Sequence, residues 1–256
     1  MSTSPLESWL DRDGKVLRLR LNRPKANIVD AAMIAALDAA LVAHAQKADL
    51  AMVLLDAAGP HFSFGASVEE HFPDQMAGML ASLHGLLKRM LNYPCPIIVA
   101  VQGQCLGGGL EVALAGSQIF AAKDAKLGQP EIKLGVFAPA ASCLLPERTR
   151  QAVADDLLFS GRSIGAEEAL QLGVVDRVAD DPSAAALAYY DQNLAAHSVC
   201  ALRYAVKAAR GAMVRRVEAR LDEVEKMCGV DIIKTHDCLE GLTAFQEKRP
   251  PRWTNN

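Results

Sequence analysis

Hydrophobic runs long enough to cross a membrane are missing from this sequence: no apolar stretch approaches the roughly 18 residues a span requires. The polar beginning MSTSPLESW lacks the charged and then apolar pattern of a secretory leader. A cytoplasmic protein with no membrane partner is therefore expected. The six cysteines (Cys95, Cys105, Cys143, Cys200, Cys228 and Cys238) are scattered without a CxxC pair, so buried free thiols are expected, not a disulfide framework. His61 and His71 stand in no HExxH-like spacing; they read as structural or surface residues, and no metal is expected. Gly103 and Gly107-Gly108-Gly109 do not make the GxGxxG dinucleotide fingerprint. A formal net charge of −3 gives no general basic excess for nucleic acid. Internal repeats of fixed period and low-complexity tracts are missing too. What remains is a chain of 256 residues, 51% hydrophobic and 22% charged. It can bury a large core in one domain, with or without a smaller appendage.

Local patterns organise the chain as strand–helix–strand alternation, the mark of an α/β domain. Val16 to Leu21 alternates leucines with Arg18 and Arg20, the pattern of a half-buried strand. Asp30 is placed to cap a helix from Ala31 to about Lys47. A strand at 51–55 follows, then the loop His61 to Ser67, which is aromatic and glycine-containing where a solvated connector would be polar. An amphipathic helix at about 74–92 leads into the β-branched run Ile97 to Val101. Further on, Pro146 reads as the first residue of a helix reaching Phe159. A helix at 166–172 ends at Gly173, and 174–178 reads as a last short strand. Helical patterns dominate from Pro182, with a change of character near Ala195. Arg203, Lys207 and Arg210 share one helix face and read as a solvated stripe.

The stretch from Cys95 to Gly135 is the organising centre. Its strand is followed by a turn, three glycines and the helix-forming run Leu110 to Ala115. Glycines at a loop-to-helix junction let backbone N–H groups approach a ligand at the positive end of a helix dipole. Such a junction suits an oxyanion. Glu111 and Glu131 lie on either side of a second strand, Gln118 to Ala122. Taken singly, the glycines read as a flexible loop and Glu111 as a first-turn charge satisfying the dipole. Glu131 alone reads as a loop carboxylate paired with Lys126 or Lys133, and Ser67 as a cap for the helix that follows.

Together these segments resemble the enoyl-CoA hydratase/isomerase (crotonase) superfamily over almost the whole length. The likeness runs from Asn22-Arg23-Pro24-Lys25-Ala26-Asn27 through FSFGAS at 62–67, VAVQGQCLGGGLEVALAG and LGQPEIKLG. It continues with SGRSIGAEEALQLGVVDRV and GLTAFQEKRP. The resemblance implies an α/β fold of ββα units wound into a spiral over residues 1–194, holding the active site. A helical C-terminal region, 195–256, would pack a homotrimer or a dimer of trimers. It implies an acyl-CoA thioester as substrate, with no cofactor beyond it. The backbone N–H groups of Ala66 and Gly108 would form the oxyanion hole, and Glu111 and Glu131 would be the catalytic carboxyls. Lys25, Ala26 and Lys248 fall in motifs that line the CoA groove in relatives. Phe137, Pro139 and Ala140 fall where the acyl group lies, although Phe137 alone reads equally well as core.

Hydration of a conjugated thioester needs a base for water and an acid for carbon, so the presence of both carboxyls implies a hydratase. Lys25 to Asp30, FSFGASVEEH and 135–148 are most similar to the branch acting on a cyclic dienoyl-CoA thioester in anaerobic aromatic-acid breakdown. Gly65-Ala66-Ser67 replaces the usual Gly-Ala-Asp, and Pro139-Ala140-Ala141-Ser142-Cys143 replaces a glycine-rich run. Both changes imply a reshaped acyl pocket. The alternatives are hydration of straight-chain or cyclohex-1-enoyl-CoA, double-bond isomerisation, or RNA binding or assembly through the basic stripe at 203–220.

Overall fold

The computed structural model of the chain describes residues 4–256; Met1 to Thr3, the first residues of the polar beginning, lie outside them. Strands β1 (Leu6–Asp11) and β2 (Val16–Leu21) make an antiparallel pair, with Leu6 opposite Leu21 and Asp11 opposite Val16. Helix α1 (Ala31–His44) follows, its first turn closed by Asp30, whose side chain accepts from the Met33 N–H. Then come β3 (Met52–Ala57), α2 (Met76–Leu91), β4 (Ile97–Val101), β5 (Gln104–Leu106), α3 (Gly108–Ala115), β6 (Gln118–Ala122) and β7 (Lys126–Gly128). A 3-10 turn, Pro130–Leu134, precedes α4 (Pro139–Arg148) and α5 (Gln151–Ser160). The remainder is β8 (Ser163–Gly165), α6 (Ala166–Gln171), β9 (Arg177–Ala179), α7 (Pro182–Asn193), α8 (Val199–Lys226) and α9 (His236–Gln246).

Two sheets result. The larger runs β1-β2-β3-β4-β6-β9, parallel from β2 onward; the smaller is β5-β7-β8. Side chains of a strand alternate between faces, and both faces of the larger sheet are covered. Leu17, Leu19, Val53, Leu55, Val99 and Ile119 enter the main core with α1, α2 and α3. Val16, Met52, Leu54, Ile98 and Phe120 pack against Ala186 and Tyr190 of α7. Valines and Leu221 of α8 join the main core rather than forming a separate one.

Several sequence expectations are corrected. The arginine face of β2 is not solvated. Arg18 is buried because Asp56, on the neighbouring strand, neutralises it, and Ser183 of α7 closes over the pair. Pro146 does not open a helix. It lies in the last turns of α4, whose first residue is Pro139, and α5 is a separate helix. Burial of Leu144 and Leu145 outweighs the local cost of an interior proline. The last strand is Arg177–Ala179, displaced from 174–178 because Val174 and Val175 turn into the core. Arg203 and Arg210 are not a free stripe. Arg203 donates to the Lys47 carbonyl, and Arg210 to those of Ala115 and Gly116. The cysteines are free as expected, and all but Cys200 are buried. Among the described residues no helix is long and apolar enough to cross a membrane.

Candidate active site

The loop at 62–67 is pinned to β5 by backbone bonds from Ser63 N–H to the Gln104 carbonyl (3.0 Å) and from Leu106 N–H to the Ser63 carbonyl (3.0 Å). This brings Ala66 against the start of α3. A Cβ placed on Gly108 would lie 3.1 Å from both the nitrogen and the Cβ of Ala66, so a side chain there would push the two segments apart by a few tenths of an ångström. Gly107 has φ +50, and a side chain there would meet Glu131 Oε1 at 2.8 Å. The N–H groups of Ala66 and Gly108 donate to no other described residue. They form an adjacent, unspent pair of donors at a helix N-terminus.

Glu111 sits in the first turn of α3 and is 3% exposed, if its whole residue is counted. Its Oε1 accepts the Ala141 N–H at 2.9 Å, at the start of α4. Burial pushes its pKa up; the N–H groups of Ala141 and Ala140 and the charge of His84 oppose that rise. Glu131 lies in the turn Pro130–Leu134 and is half-buried. Burial, then repulsion by Glu111, pushes it up to about 8. Neither Lys126 nor Lys133 counters this, so the reading of Glu131 as a lysine-paired loop carboxylate is set aside. The buried amide end of Gln129 stands 3.1 Å from both Glu131 oxygens. Its oxygen can accept from the protonated acid; turned over, its nitrogen can donate to the carboxylate.

A cavity of about 670 Å³ opens here. Ala66, Gly108 and Glu131 line it with Ile28, Phe64, Leu134 and His71, and Phe245, Arg249 and Pro251 close it from the C-terminal segment. His71 bonds the Ser67 carbonyl through Nδ1 at 2.6 Å, whereas His61 Nδ1 accepts from the Gln104 N–H at 3.1 Å. Ser67 caps no helix; its hydroxyl donates to Glu69 at 2.8 Å. Lys25 and Lys248 are exposed and Ala26 is half-buried, and none of the three is a lining residue. Phe137 is half-buried between two core clusters, while Pro139 and Ala140 are buried at the start of α4, behind Glu111. No cluster of three metal-ligating side chains occurs among the described residues.

The sequence reading missed Gln129 and His84. Gln129 adjoins the Pro-Glu of its motif, which was a usable signal. His84 is a polar residue on the apolar stripe of α2, and that irregularity was visible.

The model of the family described as enoyl-CoA hydratase/isomerase matches residues 11–256. The chain belongs to this family. It is 61% identical over 254 residues to the cyclohexa-1,5-dienecarbonyl-CoA hydratase of Thauera aromatica, covering 99% of this chain and 98% of that one. It is 33% identical to the carnitinyl-CoA dehydratase of Salmonella arizonae, covering 95% and 97%. Among solved structures, an enoyl-CoA hydratase/isomerase from Pseudoalteromonas atlantica superposes with TM-score 0.85 at 29% identity, covering 98% and 100%. An enoyl-CoA hydratase from Mycobacterium avium gives TM-score 0.88 at 21% identity, covering 99% and 100%, a likeness of fold alone. The α/β crotonase fold expected from the motifs is the fold found. Membership of this family makes the protein a hydratase-type carbon–oxygen lyase with an acyl-CoA thioester as substrate.

Proposed function

We propose that the protein adds water 1,4 across cyclohexa-1,5-diene-1-carbonyl-CoA, giving 6-hydroxycyclohex-1-ene-1-carbonyl-CoA in anaerobic benzoyl-CoA degradation. The ring substrate is supported by the 61% identity to the Thauera aromatica hydratase. One geometric observation carries the chemistry. Glu131 lines the cavity with the unspent N–H groups of Ala66 and Gly108, and its Oε1 lies against Gly107, whose carbonyl accepts the Glu111 N–H at 2.9 Å.

In this reading Glu111, whose Oε1 accepts the Ala141 N–H, is assigned as the base, and Glu131, pushed up to about 8 by burial and by repulsion from Glu111, as the acid. Environments that drive two carboxyls apart assign base and acid. Glu111 takes a proton from water as the hydroxyl oxygen bonds to ring carbon 2, β to the thioester. The electron pair of the C1–C2 double bond moves to the carbonyl oxygen, which the N–H groups of Ala66 and Gly108 stabilise. The resulting dienolate extends to carbon 5, where Glu131 delivers its proton, and the double bond comes to rest beside C1. One water is consumed, and proton exchange between the two carboxyls restores the starting state. No cofactor enters.

Lys25 and Lys248 are proposed to meet CoA phosphates, with Ala26 on the same groove. Phe137, Pro139 and Ala140 are proposed to shape the acyl pocket, the last two by fixing Glu111. Assembly as a homotrimer or a dimer of trimers through residues 195–256, in the cytoplasm, completes the proposal; light scattering after gel filtration tests the assembly. For function, the purified protein is given the cyclic dienoyl-CoA and, separately, crotonyl-CoA, and gain of one water is followed by mass. Hydration of the diene in preference to crotonyl-CoA is expected. Hydration of crotonyl-CoA alone would leave the family standing and remove the ring substrate.

A further inference from the structure

His71 takes no part in the steps above, yet it stands on the wall of the cavity with Ala66, Gly108 and Glu131. It ends a short 3-10 turn, Glu69–His71, just beyond the oxyanion loop. Its Nδ1 lies 2.6 Å from the carbonyl oxygen of Ser67, the residue after Ala66. A carbonyl only accepts, so Nδ1 carries the hydrogen. Burial pushes the imidazole pKa below its ordinary value, against the Ser67 bond and the charge of Glu70. The ring is therefore neutral at pH 7 and keeps a lone pair on Nε2. That nitrogen makes no hydrogen bond among the described residues, and unlike the Nε2 of His84 it is not sealed from solvent. It opens on the cavity that the ring lines.

Holding the loop does not account for this arrangement. An asparagine would satisfy the Ser67 carbonyl as well, its amide nitrogen standing in for Nδ1, with no second nitrogen turned outward. Ala66 and Gly108 offer N–H donors to the cavity, and Glu131 in its acid form offers another. The lone pair of His71 is of the opposite kind. Hydration produces a partner for it. Water brings two hydrogens; one goes to Glu111 as the oxygen bonds to carbon, and the other stays on that oxygen. This retained O–H becomes the product hydroxyl, the one donor that the reaction adds to the acyl group.

We propose that His71 is a specificity-determining residue whose Nε2 accepts the O–H that water keeps. The site then binds a hydroxylated acyl thioester in preference to its hydroxyl-free counterpart. This deepens the hydratase reading and rests on it for the presence of a water-derived hydroxyl.

The test is calorimetry on the whole protein carrying Glu111→Gln, which slows turnover so that each thioester is bound unchanged. Two pairs of ligands differ by a hydroxyl on the carbon β to the thioester. One is 6-hydroxycyclohex-1-ene-1-carbonyl-CoA with cyclohex-1-ene-1-carbonyl-CoA; the other is 3-hydroxybutyryl-CoA with butyryl-CoA. His71→Asn keeps a donor for Ser67 and gives up the outer acceptor, whereas His71→Gln can bring its amide oxygen to the place of Nε2. His71→Asn should lower the preference for the hydroxylated member by about threefold to tenfold, with the Kd of the hydroxyl-free member steady. His71→Gln should keep part of the preference. Comparing members of a pair cancels any general loosening of the site, and His71→Leu repeats the test should the Asn variant not fold. A preference unchanged in His71→Asn overturns the proposal. So does an equal weakening of both members, which would assign Nε2 to the amides of the CoA arm. Dependence on His71 in the straight-chain pair, with no binding of the cyclic pair, upholds His71 and removes the ring substrate.

Discussion

Asp56 and the Glu111–Glu131 pair, of which Glu131 is half-buried, are carboxyls with opposite surroundings. Asp56, 1% exposed, receives Arg18 at 2.7 Å, Arg20 at 2.7 and 2.8 Å, and the Ser183 hydroxyl at 2.9 Å. Burial alone would raise its pKa, but the two arginines outweigh burial and hold it below the usual carboxylate range. No arginine bears on Glu111 or Glu131; backbone N–H groups and one histidine stand in place of arginine, and both pKa values rise. A carboxylate tied to two guanidinium groups cannot trade protons near neutrality, whereas one beside a cavity with weak partners can. The first arrangement joins β2, β3 and α7. The second leaves Glu131 on the wall of the cavity, with Glu111 buried nearby at the start of α3.

Substitutions separate the two regions. Glu111→Gln and Glu131→Gln should each lower kcat for hydration by about 100-fold to 10,000-fold, with thioester affinity by calorimetry changing little. Asp56→Asn should do the reverse. Removing one member of a buried ionic group should cost about 3 kcal/mol or more in urea unfolding, while kcat/KM of the folded protein stays near wild type. Gly108→Ala pushes a methyl group to within 3.1 Å of the Ala66 nitrogen and should reduce kcat by about tenfold or more, with a smaller change in KM.

The smallest effect is also the most discriminating, because the two regions carry opposite signs. The lowered pKa of Asp56 contributes stability above the ordinary carboxylate range, lost as pH falls through its folded value. Glu131 is raised from 4.5 to about 8, so the folded state loses stability as pH rises between those values. At neutral pH, Glu131→Gln should therefore raise the melting temperature by a few degrees even as it lowers kcat. Equal or lower thermal stability in that variant would show that Glu131 is not held protonated by the fold.

Much of this was legible in local sequence. The strands at 97–101 and 118–122 have the predicted bounds, since buried β-branched runs flanked by turn residues admit little else. The Asp30 cap follows from residue types alone. Pro146 misled because either proline can open a helix, and the choice was made by burial of Leu144 and Leu145, which no local rule contains. Three-residue strands such as β5, β7 and β8 are too short to show alternation. Arg18 looked solvated because its partner, Asp56, is 38 residues away. His84 was unread for the same reason, since its partner, Glu225, comes from another helix.

The central claim is that Glu111 and Glu131 share one proton at neutral pH. Infrared difference titration of the free wild-type enzyme, beside Glu131→Gln, addresses it directly. A protonated carboxyl band should persist at pH 7 in the wild type, vanish in Glu131→Gln, and titrate in the wild type near pH 8. A wild-type spectrum with both carboxyls ionised at pH 7 would contradict the account.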